Sequence, residues 1–225
     1  MTRVGTLSQD ESGNNPRGVD CNAPISRAAA ALFAAKGFTF AIRYVRRANA
    51  NSYDLTTGEV LGILAAGLGL MVVQHVDGPG WEPSAALGTQ YGSTAAAECR
   101  RVGIPAGVTV WCDLEGVDTS CGHAAVIGYC NAWYDAVAAA AYVPGLYVGD
   151  CCILTPAELH DALRFEHYWS AYNLNSDAAP AVRGVCMRQH PAKAVDLVPG
   201  FTNQNCDVDV ICGDALGGSP ALLLP

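Results

Sequence analysis

The sequence predicts an α/β protein folded as a single (β/α)8 TIM-like barrel, with its last crossovers short or degenerate. Three observations carry this. Eight short β-branched or aromatic runs alternate with alanine-rich helical runs along most of the chain. The 225 residues, 51% hydrophobic and only 15% charged, supply apolar material for one large core. Acidic residues close the first and fourth runs and recur in the eighth, and a barrel gathers its reactive groups at the strand ends. An open doubly wound sheet is the alternative. It is disfavoured because the first run leads into Gly18-Val-Asp-Cys-Asn22, where Asp20 would repel a phosphate, instead of a glycine-rich loop.

Each element has its own reason. Arg17–Asn22 reads as the first strand. Ser26–Lys36 reads as a helix, with Ser26 as N-cap and Gly37 as its stop. Phe38–Arg46 is the second strand. Thr56-Thr-Gly-Glu59 has capping-box spacing and opens a helix to Ala66. Leu68–Val76 is the third strand, and a helix falls within Ser84–Val102. Val108–Gly116 is the fourth strand, His123–Ala141 a long helix and Gly145–Gly149 the fifth strand. Thr155-Pro-Ala-Glu158 is a second capping box, with proline at the first helical position, for a helix reaching about Arg164. His167–Tyr172, Gly184–His190 and Asp207–Ile211 complete the eight strands, all expected to run parallel. The domain is then residues 17–212, with 1–16 an extension and 213–225 a tail.

Composition removes several function classes. The net charge is −8, and no basic run exceeds Arg46-Arg47 or Arg100-Arg101, which argues against nucleic-acid binding. The longest apolar stretch, Val60 to Val73, is broken by Gly62, Gly67 and Gly69 and is too short to span a bilayer. The first 17 residues lack the apolar centre of a secretory signal, so a leader was removed or export takes another route. Ten cysteines without a C-x-x-C pair argue against structural zinc and leave disulfides or buried thiols open. Candidate bridges are Cys121 with Cys151 or Cys152, Cys99 with Cys130, and Cys186 with Cys206 or Cys212. The five histidines show no ligand-like spacing, and neither a metal nor a cofactor is expected.

The reactive centre is expected at Asp113 and Glu115. On a strand, residues i and i+2 share a face, so both carboxyls would stand together at the end of a buried strand. Asp20 and Asp207 are their expected companions. Glycoside hydrolysis needs one protonated and one ionised carboxyl, and close acids separate their pKa values by mutual repulsion. Glu115, nearer the mouth and longer, takes the proton-donor role, and Asp113 holds charge or orients substrate. Asp207 or Asp20 stabilises the oxocarbenium-like centre or places a substrate group that does so. Tyr44, His75, Tyr147, Trp169, Tyr172, Gln189 and Asp209 supply the aromatic and polar walls of a sugar-binding cleft. A purely structural reading would pair the acids with Arg43 or Arg188.

Several motifs in order carry a resemblance to a known family. These are Gly18-Val-Asp20, Ala41-Ile-Arg-Tyr44, Leu55-Thr-Thr-Gly-Glu59, Val110-Trp-Cys-Asp-Leu-Glu115, Tyr168-Trp-Ser-Ala-Tyr172, Arg188-Gln189, Val198-Pro-Gly-Phe and Cys206-Asp-Val-Asp-Val210. From about Arg17 to Ile211 the chain resembles the glycoside-hydrolase-like barrel domains related to family 25 lysozymes, the N-acetylmuramidases. The resemblance implies a β/α barrel and places Asp20, Asp113, Glu115, Gln189 and Asp207 on the family's acid and amide positions. It implies that Glu115 is the proton donor. The chain departs from the lysozyme pattern at Arg188, where a tryptophan usually precedes the glutamine, and in lacking an acid near the end of the second strand. Two functions remain open. One is an enzyme cutting peptidoglycan or a related glycan. The other is an inactive barrel serving as a glycan-binding or assembly module, with homo-oligomers or larger assemblies in view. Either is expected outside the cell, in the envelope or on a virion.

Overall fold

The computed structural model describes residues 2–174 and 185–225. The chain runs through β1 (Arg3–Gly5), β2 (Arg17–Cys21), α1 (Arg27–Ala35), β3 (Phe40–Val45), α2 (Thr57–Ala65), β4 (Gly69–Gln74), α3 (Ala85–Val102) and β5 (Thr109–Leu114). It continues with α4 (His123–Ala139), β6 (Val143–Val148), α5 (Pro156–Asp161), β7 (His167–Ser170), β8 (Met187–His190), β9 (Cys206–Ile211) and β10 (Leu222–Leu224). Strands β2 to β9 close a ring of eight, as expected for a TIM-like barrel. Gly184, the expected first residue of the strand observed as β8, lies outside the described residues.

The helix boundaries follow local chemistry. The Ser26, Thr56, Ser84 and Thr155 side chains each accept a backbone N–H of the following first turn. At α5 the capping box is complete. At α2 it is half made: Thr56 caps Glu59 N, but the Glu59 carboxylate turns away to Arg43 Nε at 2.5 Å and Ile25 N at 2.6 Å. Arg43 is fully buried and also donates to the carbonyls of Cys21 and Tyr53. The Ile-Arg-Tyr strand and the Thr-Thr-Gly-Glu helix start are therefore two halves of one buried ion pair outside the barrel wall. Breaking such a pair on one side costs about 3–5 kcal/mol.

Strands β2 to β8 are parallel, but β9 is antiparallel to both β8 and β2. This corrects the all-parallel expectation. No helix forms between β8 and β9, and a parallel return needs a crossover, so the chain turns at the mouth and runs back down.

Alternation along the strands sorts the two cores. Ala41, Val72, Val110, Cys112 and Leu146 face the helices. Phe40, Ile42, Met71, Val73, Trp111 and Trp169 belong to the separate cluster inside the barrel. Two glycines make room for inner rings. A Cβ on Gly18 would lie 2.2 Å from the Phe40 ring, and one on Gly145 2.4 Å from that of Trp111.

Both segments read as extension and tail contribute strands. At the lower end, β10 pairs with β4 through Leu223 and Leu70, while Thr109 N of β5 donates to Ala221 O at 2.8 Å. Strand β10 thus enters where β4 and β5 separate, and Leu222 and Leu224 join the inner cluster. Strand β1 pairs along its outer edge.

Candidate active site

The same alternation that sends Phe40 and Ile42 inward sends inward Asp20 on β2, Tyr44 on β3, Asp113 on β5, Tyr147 on β6 and Gln189 on β8. Asp207 and Asp209 reach the interior from β9. Asp207 stands at the mouth because β9 runs backwards: its first residues lie opposite the end of β2, with Asp20 and Asp207 in direct register. The five acids expected from the sequence, Asp20, Asp113, Glu115, Asp207 and Asp209, therefore converge on the upper end of the barrel.

Glu115 follows directly on β5, and its position is held from several sides. Its carbonyl accepts Trp81 Nε1 at 2.8 Å, and the next residue, Gly116 (φ 63°), donates to Asp150 O at 2.8 Å. A Cβ on Gly149 would sit 2.5 Å from Glu115 Oε2, so this glycine leaves the space that the glutamate side chain fills. Trp81, Gly149 and Asp150 escaped the sequence reading. The one signal for Gly149 was its place at the expected end of a strand, where it reads equally well as a turn.

Two cavities meet at Glu115. A polar pit of about 190 Å³ is lined by Asp20, Tyr44, Tyr147, Tyr172, Gln189 and Asp207, among others. A wider groove of about 590 Å³ runs past Asp77, Gly80, Val117, Asp118 and Asp150. Glu115 is the one acid among the described residues that lines both.

A hydrogen-bond chain orders the pit. The Tyr147 hydroxyl donates to Gln189 Oε1 at 3.0 Å, Gln189 Nε2 donates to Asp20 Oδ2 at 3.0 Å, and the Tyr44 hydroxyl reaches Asp20 Oδ1 at 3.5 Å. Asp207 Oδ1 accepts Ala192 N at 3.4 Å. Among the described residues, Asp113 Oδ1 and both Asp209 oxygens are buried without a hydrogen-bond partner.

Burial therefore governs the protonation of these acids. It lifts Asp20 to about 6, with the Gln189 bond opposing and the Asp207 charge adding. It holds Asp113 well above the carboxylate range, helped by the charges of Glu115 and Asp20. Asp209 is raised in the same way, by burial and then by Asp20. Glu115 is raised by burial and by the charge of Asp150, and Asp207 by burial. Such an arrangement keeps protons on carboxyls near neutral pH, the condition a general acid requires.

Not every expected wall residue touches the pit. Trp169 is 1% exposed and packs edge-on beneath Tyr147, with ring centroids 4.5 Å apart, so it is floor. Asp209 is likewise fully buried. His75 sits behind Tyr44, its ring 4.7 Å away and its Nε2 3.6 Å from Asp54 Oδ1, and burial lowers its pKa. Arg43 points to the opposite face, toward Glu59, and forms no ion pair with the site acids.

The cysteine pairing also differs from expectation. The one disulfide among the described residues joins Cys21 to Cys206, which the antiparallel register of β2 and β9 sets face to face, with Cα atoms 4.2 Å apart. Cys99, Cys121, Cys130, Cys151, Cys152, Cys186 and Cys212 are free thiols. The pairs expected among them do not form. Cys206 faces Cys21 in place of Cys186 because β9 is reversed.

Comparison with known proteins places this geometry. No curated protein sequence matches the chain. Among solved structures, the Tat-secreted protein Rv2525c of Mycobacterium tuberculosis, in complex with HEPES, is similar at 17% identity and a TM-score of 0.64, covering 90% of this chain and 98% of that one. The catalytic domain of endolysin ply40 from bacteriophage P40 of Listeria monocytogenes is similar at 15% identity and a TM-score of 0.59, covering 88% and 93%. A bacterial lysozyme from Streptomyces coelicolor is similar at 12% identity and a TM-score of 0.58, covering 90% and 94%. At these identities the likeness is one of fold. The family model described as "Rv2525c-like, glycoside hydrolase-like domain" matches residues 30–204, a span that holds Asp113, Glu115 and Gln189 and leaves Asp20 and Asp207 outside. The chain belongs to the Rv2525c-like glycoside hydrolase-like domain family.

Proposed function

We propose that this protein acts on peptidoglycan or a related glycan held across the upper end of the barrel, with Glu115 as proton donor. The observation that carries the reading is the place of Glu115: it is a carboxyl raised by burial and by Asp150, at the junction of two cavities, next to the buried Asp113. A glycosidic oxygen lodged at that junction would have sugar units on either side and a protonated acid beside it. Asp113 beside it is held well above the carboxylate range by burial and by the charge of Glu115, so the pair retains a proton near neutral pH. Asp20 and Asp207, side by side in register on the neighbouring strands β2 and β9, stand where positive charge developing on the sugar ring would be stabilised. The fold likeness to a lysozyme and an endolysin domain supports this chemistry, and the disulfide together with the likeness to a Tat-secreted protein supports action outside the cytoplasm.

The test is release of reducing ends from purified cell walls, with Glu115→Gln as the control. A second reading, a barrel that binds glycan without turnover, has one observation in its favour. Both Asp20 oxygens are engaged, by Gln189 and Tyr44, and Asp20 is 4% exposed. Retention on cell walls without release of reducing ends from any preparation would establish that reading.

A further inference from the structure

The two cavities that meet at Glu115 share one sign of charge. Their walls carry six carboxyls, those of Asp20, Asp77, Glu115, Asp118, Asp150 and Asp207, and no lysine, arginine or histidine among the described residues lines either. Among the described residues only Asp77 of these six has a cationic partner, Arg47 at 3.0 Å. Asp118 is held below the usual carboxylate range by its bonds from Ser120 and so stays ionised. An independent observation points the same way. Asp113 is 6% exposed, its place on β5 turns it inward between Glu115 and Tyr147, and its Oδ1 is buried with no donor. A buried acceptor without a donor invites one from a ligand. No three His, Cys, Asp or Glu side chains among the described residues are grouped so as to hold a metal ion. The missing positive charge therefore fits a larger molecule better than a bound ion.

We propose that the cleft prefers a glycan carrying free 2-ammonium groups, a glucosamine-containing or partly de-N-acetylated chain, over a fully N-acetylated or muramate-rich one. The proposal rests on the glycan-cleft reading above and refines its substrate class. A sugar ammonium supplies donors and charge together, and each one near the pit finds a carboxylate on either side of Glu115. A muramyl carboxylate in the same place meets only like charge, which a low-dielectric cleft penalises. Because Asp20, Asp207 and Glu115 hold protons more tightly than free carboxyls, an ammonium entering the pit displaces some of them. Affinity then rises from about pH 5 as those protons become easier to lose, until the sugar ammonium itself begins to deprotonate near neutrality, and it falls with added salt.

The experiment is calorimetric titration of the full chain with a glucosamine tetramer, an N-acetylglucosamine tetramer and a lysine tetramer, in two buffers of different ionisation enthalpy. The glucosamine tetramer is expected to bind at least tenfold tighter than either competitor and to release protons. Its affinity should drop at least tenfold in Asp20→Asn/Asp207→Asn and stay unchanged when the same charge is removed at exposed Glu11 and Asp161. Equal or tighter binding of the N-acetylated tetramer overturns the inference and leaves the glycan-cleft reading standing. Equal binding of the lysine tetramer, or the same loss in both double variants, shows a general polyanion effect and also overturns it. Binding of no oligomer, together with no retention on cell walls, overturns both.

Discussion

The two ends of the barrel are built on opposite terms. At the lower end β10 enters between β4 and β5, and Leu222 and Leu224 share an apolar cluster with Phe40, Ile42 and Met71. At the upper end the same inward alternation continues, but the inward residues are Asp20, Asp113, Gln189, Asp207 and Asp209, and among the described residues Asp113 and Asp209 carry buried oxygens without hydrogen-bond partners. The contrast shows where stability is made and where it is given up. Full burial of one leucine contributes about 1.5–3 kcal/mol, whereas a buried carboxyl without a counter-charge costs several. A barrel that tolerates the second must be secured by the first, and here also by the Arg43–Glu59 pair and the Cys21–Cys206 bridge.

Four substitutions would break or sharpen this contrast. At the upper end, Glu115→Gln should lower the release of reducing ends by about 10²–10⁴-fold, the usual weight of a general acid. Its thermal midpoint should move by only a few degrees; a large fall in stability would make the residue structural instead. At the lower end, Leu222→Ala should cost about 2–5 kcal/mol in chemical denaturation and leave the affinity of the folded protein for cell walls unchanged. A loss of affinity in proportion would show that the two ends are coupled.

Asp20→Asn should have the opposite sign. A carboxyl raised in the folded state to about 6 from 3.8 binds more protons folded than unfolded, so it lowers stability above the folded pKa and ceases to do so below the unfolded one. The variant should gain on the order of 2 kcal/mol at neutral pH. The wild type should melt higher at about pH 5 than at about pH 7, with this difference reduced in the variant; a midpoint that falls on acidification would remove the argument. The smallest expected effect is that of Gly149→Ala, whose methyl displaces the Glu115 side chain. It should reduce turnover about tenfold with stability changed by roughly 1 kcal/mol, since small-to-large changes cost about that much or more. Unchanged turnover would show that the glutamate can settle elsewhere.

Local signals in the sequence account for much of this. Ser26 and Thr155 announce their helices because a cap is a contact between near neighbours. The acids on β2, β5 and β9 show themselves because strand period alone assigns them a common face. What depends on distant segments was hidden. The residues Ala221-Leu-Leu-Leu224 fell within the segment 213–225 read as a tail, because nothing local says that β4 and β5 part to admit them. The direction of β9 depends on the absence of a crossover helix, and with it the partner of Cys206. Trp169 was placed on the correct face but at the wrong depth, since alternation gives direction and not level along the barrel axis. Glu59 showed its spacing to Thr56 and not its stronger attraction to Arg43, which comes from another element.

The bridge between Cys21 and Cys206 spans 185 residues of sequence, and strands β3 to β8 with helices α1 to α5 all lie inside it. The bridge therefore closes residues 21–206 into a covalent hoop. A protease that cuts one surface loop between the two cysteines opens the hoop without dividing the molecule, because the Cys21–Cys206 bond still joins the fragments. Nicked protein should migrate as one species until a reductant is added and as two afterwards. In surroundings rich in proteases, such a barrel can lose the continuity of its chain and keep the face that carries Asp20 and Asp207.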